Sequence, residues 1–295
     1  MTTSRPASGY IDLHSHTTES DGTYSPRDIV DLAVKNGLDA LAITDHDTFS
    51  GWEKALPFAE QAALDLVRGI ELNSRLVLSE KGGGYRHVHL LGYFPVKPPS
   101  EDFLNWLESE REDRRNRNRK LADALGAQGI HITLQEVEAR GKSLAGRAHF
   151  AQLLVEKGYV RSFEEAFARY LGENAPSYVE RQSQATEAAV QRISTAGGIP
   201  VVAHPIRLSL SRESERVELT RLKAAGLAGL EVYHSDHPPE LQAHYRQLAE
   251  ELHFLPTGGS DFHGAIKPDI QLGTGMRGNL RVPAEFLARL RQFVQ

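Results

Sequence analysis

The run YIDLHSHTTESDGTYSPRDIVDLAVKNGLDALAITDHDTFSG, Tyr10 to Gly51, reads as strand, loop, helix and strand. Ile11-Asp12-Leu13 leads into His14-Ser15-His16, and residues two apart in an extended chain project to the same face. Two neutral imidazoles on one face form a two-point metal clamp. Asp21 follows in the loop, Asp28 to Lys35 has helical spacing, and the apolar strand Ala40 to Thr44 delivers Asp45-His46-Asp47 at its end. A right-handed crossover between two such strands sets both polar groups at one end of a parallel sheet. One HxH pair is weak by itself. Joined to Asp21 and to a second strand ending in Asp-His-Asp, it predicts a metal centre.

The motif HSHTTESDG at 14–22, followed by ITDHD at 43–47, resembles the opening of the PHP (polymerase and histidinol phosphatase) family of metal-dependent phosphoesterases. GIE at 69–71, VHLLG at 88–92, AHP at 203–205 and GSDFH at 259–263 extend the resemblance over most of the chain. Within the family, the chain is most similar to stand-alone members that act on nucleoside 3′,5′-bisphosphates and on the 5′ ends of short RNAs.

With 295 residues, the chain has the length of one large barrel-type domain or two ordinary ones. It is 40% hydrophobic and 25% charged, a globular composition. A formal net charge of −5 excludes a protein that grips long nucleic acid through its overall field, so phosphate binding requires a local patch. The absence of cysteine excludes disulfides and thiolate zinc sites. Met1 to Ser8 is a short polar tail, and no apolar run approaches membrane-spanning length, so a cytoplasmic protein is expected. Nothing in the sequence sets an oligomeric state.

Beyond Gly51, Glu53 to Gln61 reads as a helix and Leu66 to Glu71 as a strand whose last residue is a carboxylate. A hairpin follows, from Leu72 to Leu78, through a turn at Gly82-Gly83-Gly84, and back over Tyr85 to Gly92. Pro95 to Ser100 is a linker signal, after which helical periodicity dominates to about Gln184. Strand and helix then alternate again: Ile199 to His204, Gly229 to His234 and Phe254 to His263 are strands, with helices between them. Special residues at strand ends argue for a parallel α/β barrel. The resemblance implies a distorted (β/α)7 TIM-like barrel, the PHP fold, with a helical insertion over the active-site mouth. The expected domains are a barrel over 9–98 and 185–295, and a helical insertion, a substrate cap, over 99–184.

Carried over position by position, the resemblance implies nine metal ligands: His14, His16, Asp21, His46, Glu71, His89, His204, Asp261 and His263. It groups them around three divalent ions, with His14, His16, Glu71 and Asp261 on one, Asp21, His46 and His263 on another, and Glu71, His89 and His204 on the third. Asp21, His46, Glu71, Asp261 and His263 are the expected catalytic residues. Six imidazoles, three carboxylates and no thiol suit Mn, with Zn, Fe or Mg as alternatives. A water bridging such ions loses its proton near neutral pH and attacks phosphorus in line. Asp45 is expected to orient a ligand. His87, Asp47 and His237 are weaker helper candidates.

Arg111, Arg114, Arg115, Arg117 and Arg119 crowd one predicted helix, where Glu108, Glu110, Glu112 and Asp113 would also make an ordinary solvated face. Guanidinium forks hold phosphate bidentately. The resemblance selects Arg114, Arg117 and Arg147 as contacts to a second phosphate, with His149 a weaker neighbour. The expected substrate is therefore a nucleotide or short oligoribonucleotide. A histidinol-phosphatase-like activity, an amidohydrolase and a metal-binding module without activity are the alternatives. His131, His234, His244, His253, Trp52 and Trp106 are assigned to surface or ordinary packing.

Overall fold

The computed structural model of the chain describes residues 9–80, 84–141, 145–172, 174–179 and 184–294. The expected polar tail at Met1 to Ser8 and the turn residues Gly82 and Gly83 lie outside the described residues. The chain divides into two compact units, residues 1–103 with 183–295, and residues 104–182.

The first unit is a barrel-like sheet. Its strands are β1 (Tyr10–Asp12), β2 (Ala40–Ile43), β3 (Asp65–Val77), β4 (Tyr85–Phe94), β5 (Ile199–Val202), β6 (Gly229–His234) and β7 (Leu255–Gly259), hydrogen-bonded in that order. The short segment Val282–Pro283 adds an eighth, antiparallel piece beside β1. Beyond their regular ends β1 and β7 also meet: the Leu13 amide donates to Gly258 O at 3.1 Å, and the Asp261 amide to His14 O at 2.8 Å. The barrel is not parallel throughout. β4 runs antiparallel to both β3 and β5, because it returns directly alongside β3 rather than after a crossover helix.

Helices cover the outer face. α1 (Pro26–Lys35) starts where Ser25 accepts a bond from the Asp28 amide and Pro26 occupies the first turn, and α2 is Ser50–Gln61. Strand β2 shows how the layers separate. Leu41 and Ile43 pack with Ile29, Val30 and Ala33 of α1 and Ala55 and Ala59 of α2. Ala40 and Ala42 instead join an inner cluster with Val67, Leu91, Tyr93 and Val201. Phe286, Leu287 and Leu290 complete that inner cluster from the last helix, Glu285–Phe293.

The second unit contains most of α3 (Glu101–Gly126), then α4 (Leu134–Gly141), α5 (Arg147–Glu156) and α6 (Phe163–Ala166). Leu121, Leu125, Val137, Phe150, Leu154 and Leu171 form its own buried core. No described helix is long and apolar enough to cross a membrane.

Candidate metal centre

Strand extensions carry the histidines and acids towards one another. His16 donates its amide to Phe262 O at 3.0 Å, and Ser15 O accepts from the Thr44 amide at 2.9 Å, so the His14–His16 segment lies between the continuations of β7 and β2. His14 and His16 are fully buried. A Cβ on Gly259 would lie 2.2 Å from the His14 amide nitrogen, so only glycine permits this approach. Asp261 follows two residues later, with φ at 56°.

Glu71, inside β3, is the hub. Its Oε1 lies 2.8 Å from His89 Nδ1 and 3.1 Å from His204 Nε2. Its Oε2 lies 3.3 Å from His14 Nε2, 3.1 Å from His16 Nε2 and 3.4 Å from His46 Nδ1. Asp261 Oδ1 lies 3.4 Å from both His14 Nε2 and His16 Nε2. On the other side, Asp21 Oδ1 lies 3.4 Å from His263 Nε2, and its Oδ2 lies 3.7 Å from His46 Nε2. The structure therefore brings together all nine residues singled out in the sequence.

These residues fit divalent cations. Donors about 2.1 Å from a common ion, at angles between octahedral and tetrahedral, stand roughly 3.0–3.4 Å apart. The four histidine-to-carboxylate separations between His14 or His16 and Glu71 or Asp261 run from 3.1 to 3.4 Å. His14 Nε2, His16 Nε2 and His46 Nδ1 are buried and make no hydrogen bond, which leaves lone pairs for an ion. The two buried carboxylates, Glu71 and Asp261, also need compensating positive charge.

The electrostatics of the metal-free cluster point the same way. Burial opposes charge on Glu71, yet His46, His89 and His14 hold it well below the usual carboxylate range. Asp261 behaves likewise beside His14 and His16, despite its burial. Burial also opposes charge on His16, but the nearby carboxylates of Asp261, Glu71 and Asp21 outweigh it and push the ring up to about 10. Burial dominates at His46 and at His204, and each is pushed down to about 4.

Asp45 orients the loop. It accepts from the Thr17 amide and Thr17 Oγ1, both at 2.7 Å, and from Ser20 Oγ at 2.6 Å, which fixes the turn that presents Asp21. A Cβ on Gly51 would come within 1.8 Å of Asp45 Oδ2, so the start of α2 is part of the same lock. Asp47 is buried with φ at 52°, its amide bonded to Glu71 O. His87 is exposed, its ring against Tyr85 and not in the cluster.

Several residues at the site were not identified from the sequence. His234, assigned to surface or ordinary packing, is fully buried, with Nε2 3.4 Å from Asp261 Oδ2. The same oxygen accepts from Arg207 at 3.0 Å and Lys267 at 2.7 Å. Glu231 accepts from His14 Nδ1 at 2.9 Å. The signal available for Glu231 was a carboxylate inside the otherwise apolar run LEV at 230–232. His237, one of the weaker helper candidates from the sequence, is fully buried, its Nδ1 against Val232 O.

In the second unit the arginines divide by partner. Arg111 and Arg115 pair with Glu108 and Glu138, as a solvated helix face would. Arg114, Arg117 and Arg147 are half-buried. Arg117 donates to Asn118 Oδ1, and Asn118 in turn donates to Ala145 O. Arg147 donates to Leu171 O and lies over the rings of Phe167 and Tyr178. His149 accepts from the Gly146 amide at 3.2 Å.

A family profile described as PHP domain matches residues 12–184. The chain is 31% identical to a 5′-3′ exoribonuclease of Haemophilus influenzae, over 85% of this chain and 89% of that protein. It is also 31% identical to a 3′,5′-nucleoside bisphosphate phosphatase of Chromobacterium violaceum, over 86% and 87%. A solved structure from Bifidobacterium adolescentis, described as a candidate metal-dependent phosphoesterase, superposes with a TM-score of 0.74 at 32% identity, covering 97% of this chain and 96% of that one.

Proposed function

Since the chain belongs to the PHP domain family, we propose that it hydrolyses phosphate esters, removing the 3′-phosphate of nucleoside 3′,5′-bisphosphates or degrading short 5′-phosphorylated RNA from its 5′ end. The observation that carries this reading is Glu71, which faces five imidazoles through two oxygens. When bound, divalent ions there supply Lewis acidity towards phosphoryl oxygens and towards the attacking water. Three ions, Mn by preference, suit the three ligand groups.

The chain's own residues do the rest. His14, His16, Glu71 and Asp261 hold one group's donors, Asp21, His46 and His263 another's, and Glu71, His89 and His204 the third's. Asp45 keeps the Asp21 loop in place through Thr17 and Ser20. Arg207 and Lys267 bring two cations to the edge of the cluster beside Asp261 Oδ2, where a phosphoryl oxygen would be neutralised. Arg114, Arg117 and Arg147 would grip a second phosphate, with residues 99–184 acting as the substrate-selecting part. Positioning of this kind lowers the barrier without new bonds.

A panel of pAp, AMP, histidinol phosphate and 5′-phosphorylated di- to pentaribonucleotides, assayed with metal-reloaded protein, tests the proposal. Phosphate or mononucleotide release from pAp or the short RNAs is expected to be the most efficient. A preference for histidinol phosphate would overturn it.

A further inference from the structure

Glu231 stands in β6 between Leu230 and Val232, and none of the three has any exposure. Its two carboxylate oxygens do different things. Oε1 accepts from His14 Nδ1 at 2.9 Å, and Oε2 accepts from the backbone amide of His204 at 2.6 Å. His204 has φ at 28°, in the left-handed region that a non-glycine residue holds only where its surroundings enforce it. One buried carboxylate thus grips the ring of a histidine beyond β1 and the strained backbone of a histidine beyond β5.

We propose that Glu231 is the positioning residue of the metal centre. It fixes His14 as the tautomer carrying hydrogen on Nδ1, which turns the Nε2 lone pair towards Glu71 Oε2 and Asp261 Oδ1. It also holds His204 in the turn that brings Nε2 within 3.1 Å of Glu71 Oε1. Two ligands from different strands are set by one group, and this inference rests on the reading of the cluster as a metal centre.

A rival use of the same atoms is a further cation site, because donor atoms of His14, Glu231 and His234 lie within 4.8 Å of one another. Hydrogen-bond accounting rules it out. His14 Nδ1 spends its hydrogen on Glu231 and has no lone pair there for an ion. The Asp236 amide donates to His234 Nδ1 at 3.0 Å, so the neutral His234 ring carries its hydrogen on Nε2 and has no lone pair there for an ion.

Glu231→Gln tests the proposal, since the amide offers one acceptor where two donors must be met. Manganese affinity of the metal-free variant, measured by chelator competition, is expected to fall about 10- to 100-fold. In zinc-loaded wild type, nitrogen-15 NMR of the imidazoles is expected to show His14 with hydrogen on Nδ1, and the variant a mixture of tautomers. A folded variant with wild-type manganese affinity and an unchanged His14 tautomer would overturn the role. If the variant fails to fold, the wild-type spectrum decides: hydrogen on His14 Nε2 overturns the proposal and hydrogen on Nδ1 supports it. Neither readout uses a substrate. Wild type that binds manganese but hydrolyses no phosphate ester would therefore sink the proposed function and leave this inference standing.

Discussion

Glu71 Oε1 lies 2.8 Å from His89 Nδ1, across the antiparallel pair β3 and β4. Because β4 runs antiparallel to β3, His89 reaches the site from within its strand, paired with Asn73, rather than from a strand's C-terminal end. The other Glu71 oxygen meanwhile meets His14, His16 and His46. A single carboxylate is shared among residues from four parts of the chain, and its loss cannot be compensated locally.

Replacing Glu71 with Gln should accordingly weaken metal binding at more than one position. Removing one partner of a buried charge cluster costs about 3–5 kcal/mol, or roughly a 100- to 5,000-fold loss of affinity. Metal content after dialysis and far-UV circular dichroism check this together: metal and turnover fall while helix and strand content hold. Full metal content in Glu71→Gln would refute the hub role.

The metal-free protein should lose stability as pH rises. Burial disfavours charge on His14 and His16, but the acids around them raise both rings, His16 to about 10. A raised folded pKa contributes stability that is fully present below the unfolded value of about 6.5 and is lost as pH climbs through the folded value. Thermal unfolding should therefore show the stripped protein weakening from about pH 6.5 towards 10. Metal reloading should remove most of that slope and release protons, because an ion takes only neutral imidazole. A flat profile for the stripped protein would contradict the assignment.

Asp45→Asn should destabilise the loop that carries Asp21. The carboxylate accepts from Thr17 N, Thr17 Oγ1 and Ser20 Oγ, and an amide nitrogen must face at least one of those donors. Leaving a buried donor unmet costs about 1–3 kcal/mol. Urea unfolding reads that loss directly, and an unchanged midpoint would show that the lock is dispensable.

Arg114→Ala and Arg147→Ala should raise KM for a bisphosphate by about 10- to 100-fold, the equivalent of roughly 1.5–3 kcal/mol for a hydrogen bond to a charged group. Their effect on a monophosphate should be small. Arg115→Ala, whose partner is Glu138, serves as the comparison and should change neither. Equal losses on mono- and bisphosphates would remove the second-phosphate role.

Much of this site was legible because its residues end apolar strands. His14 and His16 follow Ile11 to Leu13, His46 follows Ala40 to Thr44, and His204 follows Ile199 to Ala203, so chain polarity and residue spacing mark them before any coordinates exist. Glu231 was harder to see, since it lies within the strand GLEVYH at 229–234, where alternation suggests an outward-facing polar residue. In a barrel both faces of that strand are covered, and a polar residue there must be paired with something equally buried. Arg207 and Lys267 lay outside any motif. Only the course of the chain after β5 and β7 brings them to the same Asp261 oxygen.

Metal stoichiometry after reloading bears most directly on the central claim that nine side chains from separate strands and loops form one cation-binding centre. Stripped protein dialysed against Mn2+ should retain three ions per chain, and Glu71→Ala should retain fewer. Wild-type protein that retains no divalent ion under those conditions would contradict the account.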